Sequence, residues 1–572
     1  MAGTWQPLVY QPPFGASTML LLTDGTVFCQ ENGSANWWRL TPDQFGNYVN
    51  GTWTPLSSMK NSRLYFASAV LADGRVFVAG GEFSDGGGDL NAAEIYDPVL
   101  DTWTSIPVPS GWTNIGDAPC CVLPDGTLLL GSIFTNQSAI YNPVTNTWIA
   151  TGNKDDSSSE ETWTLLPDET VLTVECNNHP NAEKYVAAAS GWMSAGTVPV
   201  DLVQASSIEI GPAILLPDGS VFAMGASGHT AIYTPPPIAN QPGTWTVGPD
   251  FPLDGSGNLM LPKDAPACLL PNGNVLCVAG PGGAEAEGGS FPSPTSFFEF
   301  DGVSFNPVPN PPTSGGPPFV GRMLLLPSGQ VLFANGGNDI EVYTPDGAPD
   351  PDWAPKITSY SSFVFEGFNQ SLQGRQLNGL SQAVSYGDDA SMATNYPLVR
   401  IQNLLTGNVS YCRTYGHTSM GVATGTSIQG TNFVVPFGID YGPAQLCVIA
   451  NGISSECVTV TVLPFFFNFS LSGDEIVNRL IGSLADGPLY VLTAHGPVPV
   501  PGPGPEGGEI MGMARDAYHD IIRGIATLQA LGRNVISQRL AALPGERLPI
   551  EHTKVKQSAK KEEGSKTTLS TN

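Results

Sequence analysis

The stretch ILLPDGSVFAMG, residues 214–225, decides the fold. Three apolar residues run into a turn at Pro217, Asp218 and Gly219, and an alternating apolar run comes next, which reads as two antiparallel strands joined tightly. Six other segments repeat it: LLLTDGTVF (20–28), AVLADGRVFVAGG (69–81), CVLPDGTLLLG (121–131), TLLPDETVLTV (164–174), CLLPNGNVLCVAG (268–280) and LLLPSGQVLFANGG (324–337). The turn positions Asp24, Asp73, Asp125, Asp168, Asp218, Asn272 and Ser328 lie 43 to 56 residues apart, the length of one four-stranded propeller blade.

The residues after each copy fit such a blade. Tyr96 with Trp103, Tyr141 with Trp148, Tyr185 with Trp192, Tyr233 with Trp245, and the weaker Phe300 with Phe305 mark an aromatic third strand and a fourth. Each such sheet is apolar on both faces, and only neighbouring blades can cover it, so a ring is expected. Trp5 in GTWQPL reads as a fourth strand with no third strand before it. It is therefore expected to complete the seventh blade after Tyr343 and latch the ring.

The period ends near Pro355. Short alternating strands broken by Gly and Asn turns then predict a β-sandwich of immunoglobulin-like size over 354–463. Beyond it, FSLSGDEIVNRLIGSL has helical periodicity after a Ser472 or Asp474 cap. The spacer GPVPVPGPGPEGG is too rich in Pro and Gly to be regular, and residues 510–543 carry a second helical pattern. The expected class is thus mainly β: a seven-bladed propeller over 1–353, a sandwich over 354–463, and a helical extension with a Lys-bearing polar tail over 464–572.

Composition excludes several functions. Among 572 residues, 66 Gly and 51 Pro argue against a mostly helical protein. A formal charge of −28 repels phosphate backbones and anionic lipid, so nucleic acid is not an expected partner. No apolar run is long enough to cross a bilayer, and MAGTWQPL lacks the basic and apolar regions of a Sec signal. The nine cysteines cannot all pair internally. Cys268 with Cys277, and Cys447 with Cys457, flank turns that would set each pair opposite, so both are candidate disulfides or half-buried thiols.

Seven kelch-type blades, a latching GxW strand and a sandwich opened by APKIT resemble the galactose oxidase and glyoxal oxidase group of copper radical enzymes. The resemblance implies a copper site where the innermost strands begin, eight or nine residues before the turn residue. It implies a cross-linking Cys in the second blade, where this chain has Tyr65, and a radical Tyr in the third, where it has Asp117. It implies a Tyr-His pair in the seventh, where Phe319 and Val320 stand, and a His from a sandwich loop, for which YCRTYGHTSMG offers His417. A copper radical needs those ligands, so copper oxidation is not expected.

The same register places other side chains around the axis: Tyr65, Asp117, Glu160 beside Glu161, Glu209 and Asp264. Loops on that face add Glu82, Glu175 with His179, and His229. Carboxylates this close must raise some pKa values or bind a cation, so Asp117, Glu160, Glu209 and Asp264 are candidate ligands for calcium or manganese. Tyr65 and His417 are candidate proton donor and acceptor. The expected function is therefore binding of a carbohydrate, another small polar ligand or a cation at an acidic mouth. Alternatives are a divalent-metal-dependent lyase, isomerase or hydrolase using the same mouth, and a copper oxidase with rearranged ligands. The 510–543 stretch is a candidate surface for a protein partner or self-association.

Overall fold

A computed structural model of the chain describes residues 3–84, 87–386, 392–464, 490–493 and 496–499. The chain divides into two units, Met1–Phe467 and Asn468–Asn572. The expected helices after Ser472 and over 510–543 lie outside the described residues.

Seven sheets form the propeller, six with four strands and one with five. Each blade is built around the turn that repeats in the sequence, and the turn residue has a specific task. The Asp24, Asp73, Asp125, Asp168 and Asp218 carboxylates, and the Asn272 side-chain oxygen, each accept from the backbone N–H two residues on, at 2.9 to 3.2 Å. The side chain thereby reinforces the turn beside its backbone bonds, such as Gly25 N–H to Leu22 O and Gly219 N–H to Leu216 O. The strands on either side are almost wholly buried, Val76–Ala79 and Val331–Ala334 throughout.

The aromatic positions join the blades. Within each blade Tyr96 packs tilted against Trp103 at 5.1 Å, Tyr141 against Trp148 at 5.0 Å, and Tyr233 against Trp245 at 5.0 Å. The indole N–H groups of Trp103, Trp148 and Trp245 donate to Ser57, Pro107 and Ala195 carbonyls, each belonging to the preceding blade or the segment leaving it, at 2.7 to 3.2 Å. Thr4–Pro7 pairs with Glu341–Thr344, Trp5 stands opposite Tyr343, and the Trp5 indole donates to Pro309 O at 2.7 Å. The ring is latched as the sequence predicts.

Between Lys356 and Leu463, eight strands form one connected path, with Ile453–Ser454 pairing beside it, around a separate core that includes Val364, Val399, Phe433, Leu446 and Val460. Strand Val409–Tyr415 bonds Leu398–Asn403 with its first half and Ile428–Val434 with its second, which folds the path over that core. This body covers the turn face of the propeller. Thr414 N–H donates to Thr23 O, Gly416 N–H to Ala72 O and Met420 N–H to Pro124 O. At Gly452 the approach is close enough that a Cβ would meet the Gly329 Cα at 2.8 Å, so a side chain cannot be accommodated there.

Two local expectations are corrected. Cys447 and Cys457 form a disulfide, but Cys268 and Cys277 are buried free thiols. The turn after Leu269 spans an odd number of residues, so Ala267 faces Cys277 and Cys268 faces Leu276. Adjacent strand positions point to opposite faces, and the two thiols never meet. The Pro- and Gly-rich spacer contains a strand, Gly496–Pro499, paired with Tyr490–Thr493. Pro497 and Pro499 alternate, so their missing N–H groups fall on one edge and Val498 remains free to pair.

Candidate functional site

The mouth lies where the innermost strands begin, opposite the turn face. A repeated backbone device presents its side chains. Tyr65 (φ 46°), Glu160 (φ 60°) and Asp264 (φ 48°) occupy left-handed backbone, and Gly116 (φ 68°) and Ile208 (φ 69°) do so immediately before Asp117 and Glu209. Five successive blades thus kink eight to ten residues before their turn residue. Non-glycine residues hold this conformation at a cost of about 1–2 kcal/mol, and such strain gathers at functional sites.

Glu160, Glu209 and Asp264 are brought together. Glu209 is pushed up to about 10, first by desolvation and then by the charges of Asp264 and Glu160, with Lys263 opposing. Glu209 therefore holds a proton at neutral pH. Lys263 donates to the carbonyls of Gly288 and Ser290 and lies 4.3 Å over the Phe291 ring. Phe291 in turn packs on Phe319 at 4.7 Å.

From Asp264 a line of contacts crosses the mouth. Tyr386 Oη donates to Phe319 O at 2.7 Å and approaches Asp264 Oδ2 at 3.5 Å. The Arg322 guanidinium lies 3.5 Å over the Tyr386 ring and 5.5 Å from the Tyr65 ring. Tyr65 meets the exposed Phe83 edge to face at 6.2 Å. Asp117 is buried at the matching position of the third blade.

Sequence reasoning missed Tyr386. It belongs to Val384–Tyr386, which leaves the sandwich body and pairs with Pro266–Leu269 as a fifth strand of the sixth blade. Only the three residues Val384, Ser385 and Tyr386 alternate, too short a run to mark a strand or its partner in the sequence.

His417 is a correction. It sits at the turn face, its backbone N–H donating to Ala72 O, at the opposite end of strand Ala67–Val70 from Tyr65. Its Nδ1 pairs with Thr431 Oγ1 at 2.9 Å, and burial drives its pKa down to about 4, against a smaller opposing pull from Asp73. It is neutral in the folded protein and is not brought together with Tyr65. The sandwich segment that reaches the mouth is the one carrying Tyr386. His179 and His229 pair with Asp201 at 2.8 Å and Asp250 at 2.7 Å. Arg63 is fully buried, 2.7 Å from Glu94 and bonded to the carbonyls of Gly80 and Ala92. Gly80 is left-handed there, and a Cβ would meet Gly116 O at 2.0 Å.

The buried Arg63-Glu94 pair under a diglycine turn, with the Tyr96-Trp103 pair beyond it, belongs to the second blade. The kelch motif model matches residues 63–107. F-box/kelch-repeat protein SKIP30 of Arabidopsis thaliana is 38% identical over 104 residues, 16% of this chain and 28% of that protein. Galactose oxidase of Gibberella zeae is 45% identical over 56 residues, 10% of this chain and 8% of that protein. The chain thus spans only about a quarter, or less than a tenth, of the length of these curated relatives. Among solved structures, a novel fungal alcohol oxidase with catalytic diversity among the AA5 family, in complex with copper, aligns over 81% of this chain and 100% of that one, at 15% identity and a TM-score of 0.47. Over these short stretches the chain is similar to kelch-repeat proteins and to galactose oxidase.

Proposed function

We propose that the axial mouth binds a neutral polyhydroxylated ligand of the carbohydrate class, without a copper radical. The observation that carries this reading is the unbroken run of groups from Tyr65 through Arg322, Tyr386 and Asp264 to Glu209. It alternates aromatic faces with donors and acceptors, and a protonated Glu209 can donate as well as accept. Sugars need this mixture, because each ring offers C–H faces and hydroxyl edges.

Two features favour a neutral ligand over a cation at the axis. Lys263 and Arg322 already set positive charge among the acids, and Glu209 carries its proton instead of a negative charge. The donor set also does not fit a radical copper centre. It offers phenols and carboxyls, whereas that chemistry calls for imidazole ligands and a thioether-linked tyrosine. Among the described residues, the histidines pair with Asp201, Asp250 and Thr431. No step is assigned to copper.

The test is a screen of the full chain against neutral mono- and oligosaccharides, with a parallel assay for peroxide release after copper loading. Saturable glycan binding with no sugar-dependent peroxide is expected. Turnover on loading with copper, or no glycan bound at all, would overturn the reading.

A further inference from the structure

A second cluster lies within the fourth blade, away from the axis. Thr173 stands opposite Glu183 and Val174 opposite Ala182, so Glu175, one step on, is the diagonal neighbour of Glu183 on the same face. Asp155, on the segment joining the third and fourth blades, reaches the same spot, and its backbone N–H donates to both Glu183 oxygens at 3.1 and 3.2 Å. One carboxylate oxygen from each of Asp155, Glu175 and Glu183 lies within 4.8 Å of the other two. Two oxygens that share a hard ion at 2.3–2.6 Å can be no more than about 5 Å apart.

The independent sign of a ligand is Glu175. It is fully buried, and neither carboxylate oxygen accepts from an N–H or hydroxyl donor; the group it meets is the Glu183 carboxyl. A buried carboxyl without a partner is costly, so such groups are normally paired or bound to metal. Lys154 does not supply that partner. Its Nζ sits 2.7 Å from Glu161 and 3.4 Å from Glu183. The lysine is thus shared between Glu161 and Glu183, nearer to the first, and neither of these bonds reaches Glu175. Asp155 is exposed and leaves the cluster open to solvent.

We propose that Asp155, Glu175 and Glu183 bind one hard divalent cation, of the calcium class, which ties the segment between the third and fourth blades to the two middle strands of the fourth. The all-carboxylate donor set selects such ions over thiophilic ones.

Terbium(III) tests this directly, because Trp163 lies beside Glu161 and can sensitise its emission. Full-length protein stripped with a chelator is titrated with terbium under tryptophan excitation, then with calcium as competitor. One saturable site displaced by calcium is expected, together with a melting temperature raised by several degrees when calcium is added. Glu175→Gln and Asp155→Asn should each weaken terbium binding at least tenfold, while Glu209→Gln leaves it unchanged. Asp155 is exposed, so its variant keeps the test open even where Glu175→Gln folds poorly. No saturable emission, or binding unchanged in Asp155→Asn, overturns the proposal. So does binding lost in Glu209→Gln but kept in Asp155→Asn, since that places the ion at the axis.

Discussion

The Arg322 guanidinium carbon lies over the Tyr386 ring, 3.5 Å from its centroid, joining the seventh blade to the strand Val384–Tyr386 that pairs with the sixth. The contact makes the mouth a composite of both bodies. Arg322→Lys keeps the charge but loses the planar stack, so a loss of about 1 kcal/mol in stability and roughly tenfold in ligand affinity is expected. Denaturant titration and a binding isotherm measure the two. Unchanged affinity would show that the stack is scaffold only.

The Trp5 latch closes the ring. Its side chain packs on Phe297, Phe333 and Tyr343 and donates to Pro309 O. Trp5→Ala should cost about 3 kcal/mol, and Trp5→Phe about 1 kcal/mol, because the second removes chiefly the hydrogen bond. Equal losses in the two variants would contradict the assignment of the larger share to packing.

These two contacts show how far the sequence could be read. The turn acids and the Tyr-Trp pairs are local signals, each carried within one blade, and they suffice for the ring, its count and the Trp5 closure. The mouth was legible only as a register. Tyr65, Glu160 and Asp264 could be placed because every blade repeats the same distance to its turn. Tyr386 could not, since its partner strand lies more than a hundred residues away. His417 misled for the converse reason: a lone His in a sandwich loop carries no mark of which propeller face the loop meets. Cys268 and Cys277 failed on a single residue of turn length.

Left-handed backbone at the mouth makes a sharp prediction. Asp264 holds φ 48°, a conformation glycine adopts without penalty. Asp264→Gly should be more stable than Asp264→Ala by about 1 kcal/mol, the reverse of the usual order in a folded chain. Matching unfolding midpoints for the two variants would argue that the kink carries no strain.

His417 supplies a pH dependence. Its pKa falls from an ordinary 6.5 to about 4 through burial, so the folded state resists protonation where the unfolded chain accepts it. Its contribution is fully present above about pH 6.5 and is lost as pH falls toward 4. Between pH 7 and 5 the loss is roughly 2 kcal/mol. His417→Gln should remove that portion of the acid sensitivity, read as the difference between the two proteins' denaturation midpoints at each pH. Parallel loss in both proteins would refute it.

The central claim is tested most directly by calorimetric titration of neutral oligosaccharides into wild-type, Asp264→Ala and Glu209→Gln proteins at neutral pH. A single saturable site is predicted, weakened at least tenfold in Asp264→Ala and largely kept in Glu209→Gln, where the amide replaces a carboxyl that already holds its proton. Glycan binding that survives Asp264→Ala unchanged would contradict the account.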